Sequence, residues 1–372
     1  MHFGIVGRKM ASKHTTLQKK LTLWYRKHHR KGLPWRQTKD PYRIWVSETM
    51  LQQTQVSTVI PYYERFVKTF PTVKHLARAP LPKVLDAWSG LGYYSRARNF
   101  HTAAQQVLKD HQGKVPDSPE ALLKLKGIGR YTAGAIASIA YSQPAPILDG
   151  NVMRVLARLF CIRGDLRTPT NQKKLWQLAA ELVADQDPGT LNQAMMELGA
   201  LVCTPRTPSC SACPLKRNCV AQKRGLQKTV PPVRASLRKK RINYACAVIQ
   251  RGHFVLLARR PFEGLLGGLW EFPGGELHSN LSETKSLTKH LKERLGICVR
   301  PEESLAQVRQ LLTHRELVIR AFAGCMKPQK FRLKWYTEVR WIPVAKLKAT
   351  ALTAGMRKCA DQVFFSDIMA AR

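Results

Sequence analysis

The chain has 372 residues, 44% of them hydrophobic, which suits two or three domains with sizeable cores and excludes wholesale disorder. Lysine and arginine number 62 against 24 acidic residues, a formal charge of +38, and a field of that sign attracts a polyanion, nucleic acid first and an anionic membrane surface second. No run of about 18 apolar residues is present to span a membrane, and residues 1–16 lack the apolar stretch of a secretory signal. With Arg8, Lys9 and Lys13, residues 1–16 read as a loose basic arm.

Residues 17–224 read as helices punctuated by Pro34, Pro41, Pro61, Pro71, Pro116 and Pro144. In Val46-Ser47-Glu48-Thr49-Met50-Leu51-Gln52-Gln53, Glu48 is a charge among apolar residues, behind Trp45. A glutamate on a solvated face is the common case. One in apolar surroundings keeps its proton to higher pH and can act as a general acid. Further along, Gly127 and Gly129 precede a helical run in Leu125-Lys126-Gly127-Ile128-Gly129-Arg130-Tyr131. Such glycines turn the backbone and aim N–H groups outward, and a helix start adds positive potential. The pattern suits a phosphate cradle or a plain turn between helices. Asp149, in Leu148-Asp149-Gly150-Asn151-Val152, opens the next helix, where aspartate is a good N-cap. Val152, Val155, Leu156, Leu159 and Phe160 then share one helical face, with Arg154 and Arg158 expected off it.

Four of the nine cysteines, Cys203, Cys210, Cys213 and Cys219, follow the spacing C-x6-C-x2-C-x5-C, and the other five are scattered. That excludes a secreted disulfide framework and suits a reducing compartment with one metal-type centre. Four soft thiolates this close converge on one centre, and the spacing alone fits zinc and [4Fe-4S] equally. Residues 225–242, with Pro231-Pro232 and many Lys and Arg, form a basic linker that is drawn to phosphate or is a plain spacer. From residue 243 the pattern changes. Short apolar runs at 245–250 and 254–258 suggest a hairpin about Arg251-Gly252, residues 281–295 a helix, and 315–322 and 334–342 further strands. Residues 243–372 therefore read as a separate α/β domain.

The cysteine run resembles that of the endonuclease III superfamily of base-excision glycosylases, which implies a [4Fe-4S] cluster on those four thiolates. Gly127 and Gly129 followed by Asp149 resemble the superfamily's helix–hairpin–helix plus Gly/Pro–Asp motif. Over most of residues 20–220 the chain resembles the MutY family of adenine glycosylases. The strings that carry this likeness are residues 46–56, Leu33-Pro34-Trp35-Arg36, residues 90–99 (Gly-Leu-Gly-Tyr-Tyr-Ser-Arg-Ala-Arg-Asn) and residues 192–200. Gly268-Leu269-Trp270-Glu271-Phe272-Pro273-Gly274-Gly275 resembles a Nudix fold. The expected architecture is multi-domain, α plus α/β. An all-α helix–hairpin–helix glycosylase domain (17–224, a six-helix barrel and a cluster subdomain) is followed by a Nudix-like domain (243–372).

That resemblance implies a monomer that binds double-stranded DNA and flips out adenine paired with 8-oxoguanine or guanine. Hydrolysis of the adenine then leaves an abasic site. Glu48 would protonate the base, and Asp149 would stabilise or attack the sugar cation. Tyr131 and Asn151 would position Asp149, while Trp35, Arg36 and Gln193 would shape the adenine pocket. Leu51 would be a wedge, the plainer alternative being a core leucine. Gln53 would plug the stack, Tyr93 would serve as a stacking plate, and Gly127 and Gly129 would meet the DNA backbone. Endonuclease III carries a nucleophilic lysine where this chain has Tyr131, and a phenol forms no Schiff base, so lyase action is not expected.

The Nudix box is degenerate. Leu281 stands where its first glutamate belongs, and Lys289-His290-Leu291-Lys292-Glu293-Arg294 keeps a single acid of its helix. Magnesium would be repelled. The resemblance then implies a domain that reads 8-oxoguanine through Leu312-Thr313-His314, where the family has Phe-Ser-His. The alternative for this triplet is an ordinary surface Thr-His pair. Two other classes fit part of the pattern, an endonuclease III-like pyrimidine lyase and a non-catalytic DNA-damage binder. Tyr131 counts against the first and the acid pair against the second. The expected location is with the nucleoid in a bacterial cell, or the nucleus or mitochondrion in a eukaryotic one.

Overall fold

The computed structural model describes residues 3–183, 187–232, 239–312 and 314–366, with side chains from Thr15 onward. Helices run α1 Phe3–His28, α2 Pro41–Leu51, α3 Val56–Thr69, α4 Val73–Arg78, α5 Leu81–Ala87, α6 Tyr94–Asp110 and α7 Pro119–Leu123. They continue as α8 Arg130–Tyr141, α9 Gly150–Phe160, α10 Pro169–Val183, α11 Pro188–Leu201 and α12 Val220–Lys223. Their starts are written locally. Asp40, Ser118, Asp149 and Asp187 each accept a backbone N–H of the first turn, three of them with proline just inside the helix. The segment read as a loose basic arm is helical from Phe3. Among the described residues no helix is long and apolar enough to cross a membrane.

The chain packs as two units, residues 1–78 with 99–235, and residues 79–98 with 236–372. In the first, an aromatic core joins α2, α3 and α6, where Trp45 and Phe66 lie 4.7 and 6.1 Å from Phe100. A second core gathers Leu17 and Leu21 of α1 with Val152, Val155, Leu156 and Leu159 of α9, Leu175 of α10 and Leu191 of α11. The apolar face expected for α9 is the one that is buried. Arg158, expected off that face, is only 2% exposed, because it turns onto the carbonyls of the cysteine loop.

In the second unit one sheet has the order β5-β1-β7-β6, with β1 Lys240–Val248, β5 Gly274–Glu276, β6 Arg300–Leu311 and β7 Arg315–Cys325. Strand β1 is antiparallel to β5 and parallel to β7, the register running from Lys240 opposite Arg315 to Val248 opposite Ala323. In the other sheet β3 Phe254–Arg259 pairs with β2 Gln250–Arg251, β4 Trp270–Glu271 and β8 Glu338–Pro343. Strand β1 is buried on both faces. Cys246 and Val248 join a core with Met356, Cys359 and Ala360 of α14 Ala354–Phe364. Ala245, Ala247 and Ile249 join another with Leu287, Leu291 and Leu295 of α13 Glu283–Leu295. Period-two alternation sends neighbours to opposite faces, so a helix on each side yields an unbroken apolar run. The expected hairpin forms between β2 and β3, while β1 leaves for the other sheet. Strand β6 and helix α14 were not anticipated from the sequence.

Candidate active site and cysteine loop

A cleft of about 750 Å³ opens in the helical unit. Glu48, from α2, lines it at 5% exposure, so the solvated-face alternative fails. Burial, reinforced by the nearby charge of Asp149, pushes its carboxyl up to about 7, against a hydrogen bond from Tyr131 and the charge of Arg36. Tyr131 stands in the first turn of α8. Its hydroxyl donates to Glu48 Oε2 at 2.7 Å and contacts Met196 Sδ at 3.2 Å. Tyr131 was expected to position Asp149; the carboxyl its hydroxyl bonds is that of Glu48, because the first turn of α8 meets the last turn of α2.

Asp149 lines the same cleft and is also the N-cap of α9. One carboxylate both caps the helix and faces the cleft. Oδ1 accepts Val152 N–H at 2.7 Å and Oδ2 accepts Asn151 Nδ2 at 2.9 Å. Burial raises the Asp149 carboxyl above its ordinary value, while those two donors favour the ionised form. Both acids raise the Tyr131 phenol, after burial itself.

Trp35, Arg36 and Gln193 line the cleft as expected. The indole of Trp35 packs edge-on to Tyr63 at 5.4 Å. Arg36 is tied to Glu197, which lies within residues 192–200 and has no role assigned from the sequence. Glu197 is fully buried and takes Nη1 and Nη2 of Arg36, plus the backbone N–H, Nε and Nη2 of Arg30. Burial opposes its charge, but the two guanidiniums win and hold the carboxyl at about 2. The signal was there in a lone acid within Met195-Met196-Glu197-Leu198, an apolar stretch of α11. Arg36 also lies 5.5 Å from the Tyr25 ring, and Tyr25 donates to Gln193 Oε1 at 3.2 Å.

Leu51, Gln53, Gly127 and Gly129 form the rim. Leu51 is half-buried, not a core leucine. Gln53 is exposed at φ 58°, a left-handed conformation uncommon for a non-glycine residue. Gly127 has φ 79°, and a Cβ there would lie 2.6 Å from Asn99 Cβ, so the turn requires glycine. Gly129 caps α8 with open space above it. Tyr93 belongs to the other unit and is 43% exposed at φ 49°. His314 is exposed at the β6–β7 hairpin, and Thr313 lies outside the described residues.

The four cysteines of the run line one cavity together with Arg158 and Lys216. Among the described residues no three Cys, His, Asp or Glu side chains form a group that could hold a metal ion. The donor set, four soft thiols around a shared space, suits a thiolate-bound metal centre, zinc or an iron–sulfur cluster alike. Arg158 Nη1 lies 3.3 Å from Cys203 Sγ and also donates to Thr204 O, Nη2 donates to Pro205 O, and Nε donates to Val230 O. Arg154 joins Asn151 Oδ1 to the carbonyl of Cys203. One turn of α9 thus connects the Asp149 cap to the cysteine loop. In the degenerate Nudix box, Glu293 pairs with Lys289, Arg294 donates to Gly274 O, and His290 Nε2 sits 2.6 Å from Glu276 O.

Residues 46–181 match the HhH-GPD superfamily of base excision DNA repair proteins, and residues 244–362 match the NUDIX domain. The adenine DNA glycosylase of Rattus norvegicus is 36% identical over 92% of this chain and 77% of its own length. That of Homo sapiens is 34% identical over 92% and 73%. A thermostable thymine-DNA glycosylase of known structure is 28% identical with a TM-score of 0.52, covering 57% of this chain and 98% of its own. Two domain matches in the order of the two folds, and relatives aligned through both, mean that the chain belongs to the adenine DNA glycosylase family.

Proposed function

We propose that this protein excises adenine paired with 8-oxoguanine or guanine in duplex DNA and leaves an abasic site without cutting the strand. The observation that carries the reading is Glu48, buried and held protonated near neutral pH, in one cleft with Asp149 and an arginine-aromatic pocket. A base inside a duplex must be flipped out before it can reach such a cleft. Leu51 and Gln53 on the rim, and Tyr93, are suited to fill the gap it leaves. Trp35, Arg36 and Gln193 would receive the adenine. Glu48 would give its proton to N7, since neutral adenine is a poor leaving group. Asp149, ionised beside its two donors, would stabilise the sugar cation or trap it until water completes hydrolysis, as the second carboxylate does in a glycosidase. Asn151 holds Asp149 and Tyr131 holds Glu48.

Cys203, Cys210, Cys213 and Cys219 would hold a [4Fe-4S] cluster, which when bound supplies a structural clamp for the loop that carries Arg206, Lys216 and Arg217. Excision chemistry is assigned to residues 17–224, phosphate attraction to the linker 225–242, and reading of 8-oxoguanine to residues 243–372, the protein acting as a monomer. The filled Nudix box supports a reader over a hydrolase, since Arg294 and Lys289 stand where a magnesium site would need acids. The deciding assay is single-turnover cleavage of duplexes with A opposite 8-oxoguanine, G or T, each with and without alkali. The expected order is 8-oxoguanine, then G, with T inert, and strand breaks only after alkali. Breaks without alkali, or release opposite T at the same rate, would overturn the reading.

A further inference from the structure

Residues 79–98 belong by sequence to the helical half, yet they pack with residues 236–372. They carry Tyr93 on a turn built from close local bonds. Trp88 Nε1 and Arg96 Nη2 donate to Gly92 O at 3.1 and 3.3 Å, and Gly90 N–H donates to the Tyr94 hydroxyl at 2.9 Å. Gly90, Gly92 and Tyr93 have φ of 94, 77 and 49°. Arg96 lies 5.2 Å from the Tyr93 ring. A bulky residue kept in a left-handed conformation and facing solvent points to a use outside the fold.

The turn rests on the loop between β3 and β4. Arg98 Nη1, one turn into α6, donates to Gly267 O at 2.9 Å. At Gly268, φ 79°, a Cβ would lie 2.7 Å from Leu85 Cδ1 and 2.9 Å from the Phe262 ring, so α5 and the loop meet backbone to side chain. The loop is anchored in turn. Gly268 N–H donates to Pro261 O at 3.0 Å, and Arg260 Nη1 donates to buried Glu271 at 2.7 Å. Glu271 also accepts the hydroxyls of Tyr244 and Tyr336. A continuous set of contacts therefore runs from the sheets, through this loop, to the Tyr93 turn.

We propose that the Tyr93 turn is mechanically part of the recognition domain and that Arg98 is the positioning residue that makes it so. Tyr93 then stacks in register with the side chains that read the base opposite adenine, and specificity depends on Arg98 although it touches no base. The proposal rests on the reading of residues 243–372 as the 8-oxoguanine reader.

The test uses the full-length chain with Arg98→Met, which keeps the apolar stem and loses the donor, Arg98→Lys, Tyr93→Leu, and Arg98→Met combined with Tyr93→Leu. Single-turnover rates opposite 8-oxoguanine and opposite G are measured on one preparation, so loss of folded protein cancels in their ratio. Arg98→Met should lower that ratio about fivefold or more, the lower end of what one base–aromatic stack is worth. Arg98→Lys should recover most of it, and the double variant should be no worse than Tyr93→Leu alone. An unchanged ratio for Arg98→Met, or effects that multiply in the double variant, would overturn the proposal. If the parent protein itself shows no preference for 8-oxoguanine, the underlying reading has failed, and the coupling is judged on a second signal. Quenching of a 2-aminopurine placed beside an A·G mispair should fall in Arg98→Met to the Tyr93→Leu level. Parental quenching in Arg98→Met would reject the coupling on its own.

Discussion

Glu48 and Tyr131 form a pair whose behaviour can be read against pH. On the proposed chemistry the proton for excision sits on Glu48 and is lost as pH rises through about 7, so the single-turnover rate should fall over that range. Tyr131 donates to the carboxyl and favours its ionised form. Tyr131→Phe should therefore shift the alkaline limb upward, and a downward shift would show that the bond does not serve Glu48. The raised carboxyl also has a cost. A folded-state value of about 7 against an ordinary 4.5 means the fold loses stability as pH climbs between them, on the order of 3 kcal/mol at most. Glu48→Gln should thus raise the melting temperature more at pH 8 than at pH 5, while abolishing adenine release and leaving duplex binding nearly intact. Equal gains at both pH values would mean that Glu48 is not buried as a charge. The residue type and its apolar neighbours marked Glu48 in the sequence. Its partner did not show there, since Tyr131 lies on another helix and the two meet only by packing.

Helix α9 carries the Asp149 cap at its start and Arg154 and Arg158 along its length. Asp149→Asn keeps a capping side chain and should cost little stability while removing excision. Asp149→Ala should in addition cost about 1 kcal/mol in a urea melt. Arg158→Met leaves the carbonyls of Thr204, Pro205 and Val230 without their buried donor. Each orphaned carbonyl costs about 1–3 kcal/mol, so a loss of about 3 kcal/mol or more is expected, together with weaker retention of the visible absorbance of a [4Fe-4S] centre. A urea midpoint close to that of the parent protein would show that water replaces the guanidinium. The face pattern of α9 was plain from its spacing. The burial of Arg158 was not, because helical periodicity records which side is apolar and says nothing of a cation folded back onto a neighbouring loop.

The formal charge of +38 acts at the scale of the whole molecule. Binding to any duplex should weaken steeply as salt rises, through release of counterions from neutralised phosphates. Discrimination should depend on far fewer residues. Thr313→Ala with His314→Ala leaves the phosphate-facing charge in place and removes a candidate pair of hydrogen bonds to 8-oxoguanine. The preference for 8-oxoguanine over G should drop roughly tenfold to a hundredfold, with the salt dependence unchanged. Full preference in that variant would place the reading contacts elsewhere, with Leu312 in place of an aromatic as the sign of it.

The sequence by itself determined the order of the two folds, the Asp149 cap of α9, the cysteine run and the two acids, because each is carried by neighbours along the chain or by a short spacing. It missed β6 and α14, whose burial patterns are set by the sheet and helix they pack against. Only the tertiary structure decided that Tyr131 bonds Glu48, that Glu197 grips Arg30 and Arg36, and that residues 79–98 pack with residues 236–372. Those three are contacts between segments far apart in the chain. Their energies come from burial and from bonds in a low-dielectric interior, which no local pattern encodes.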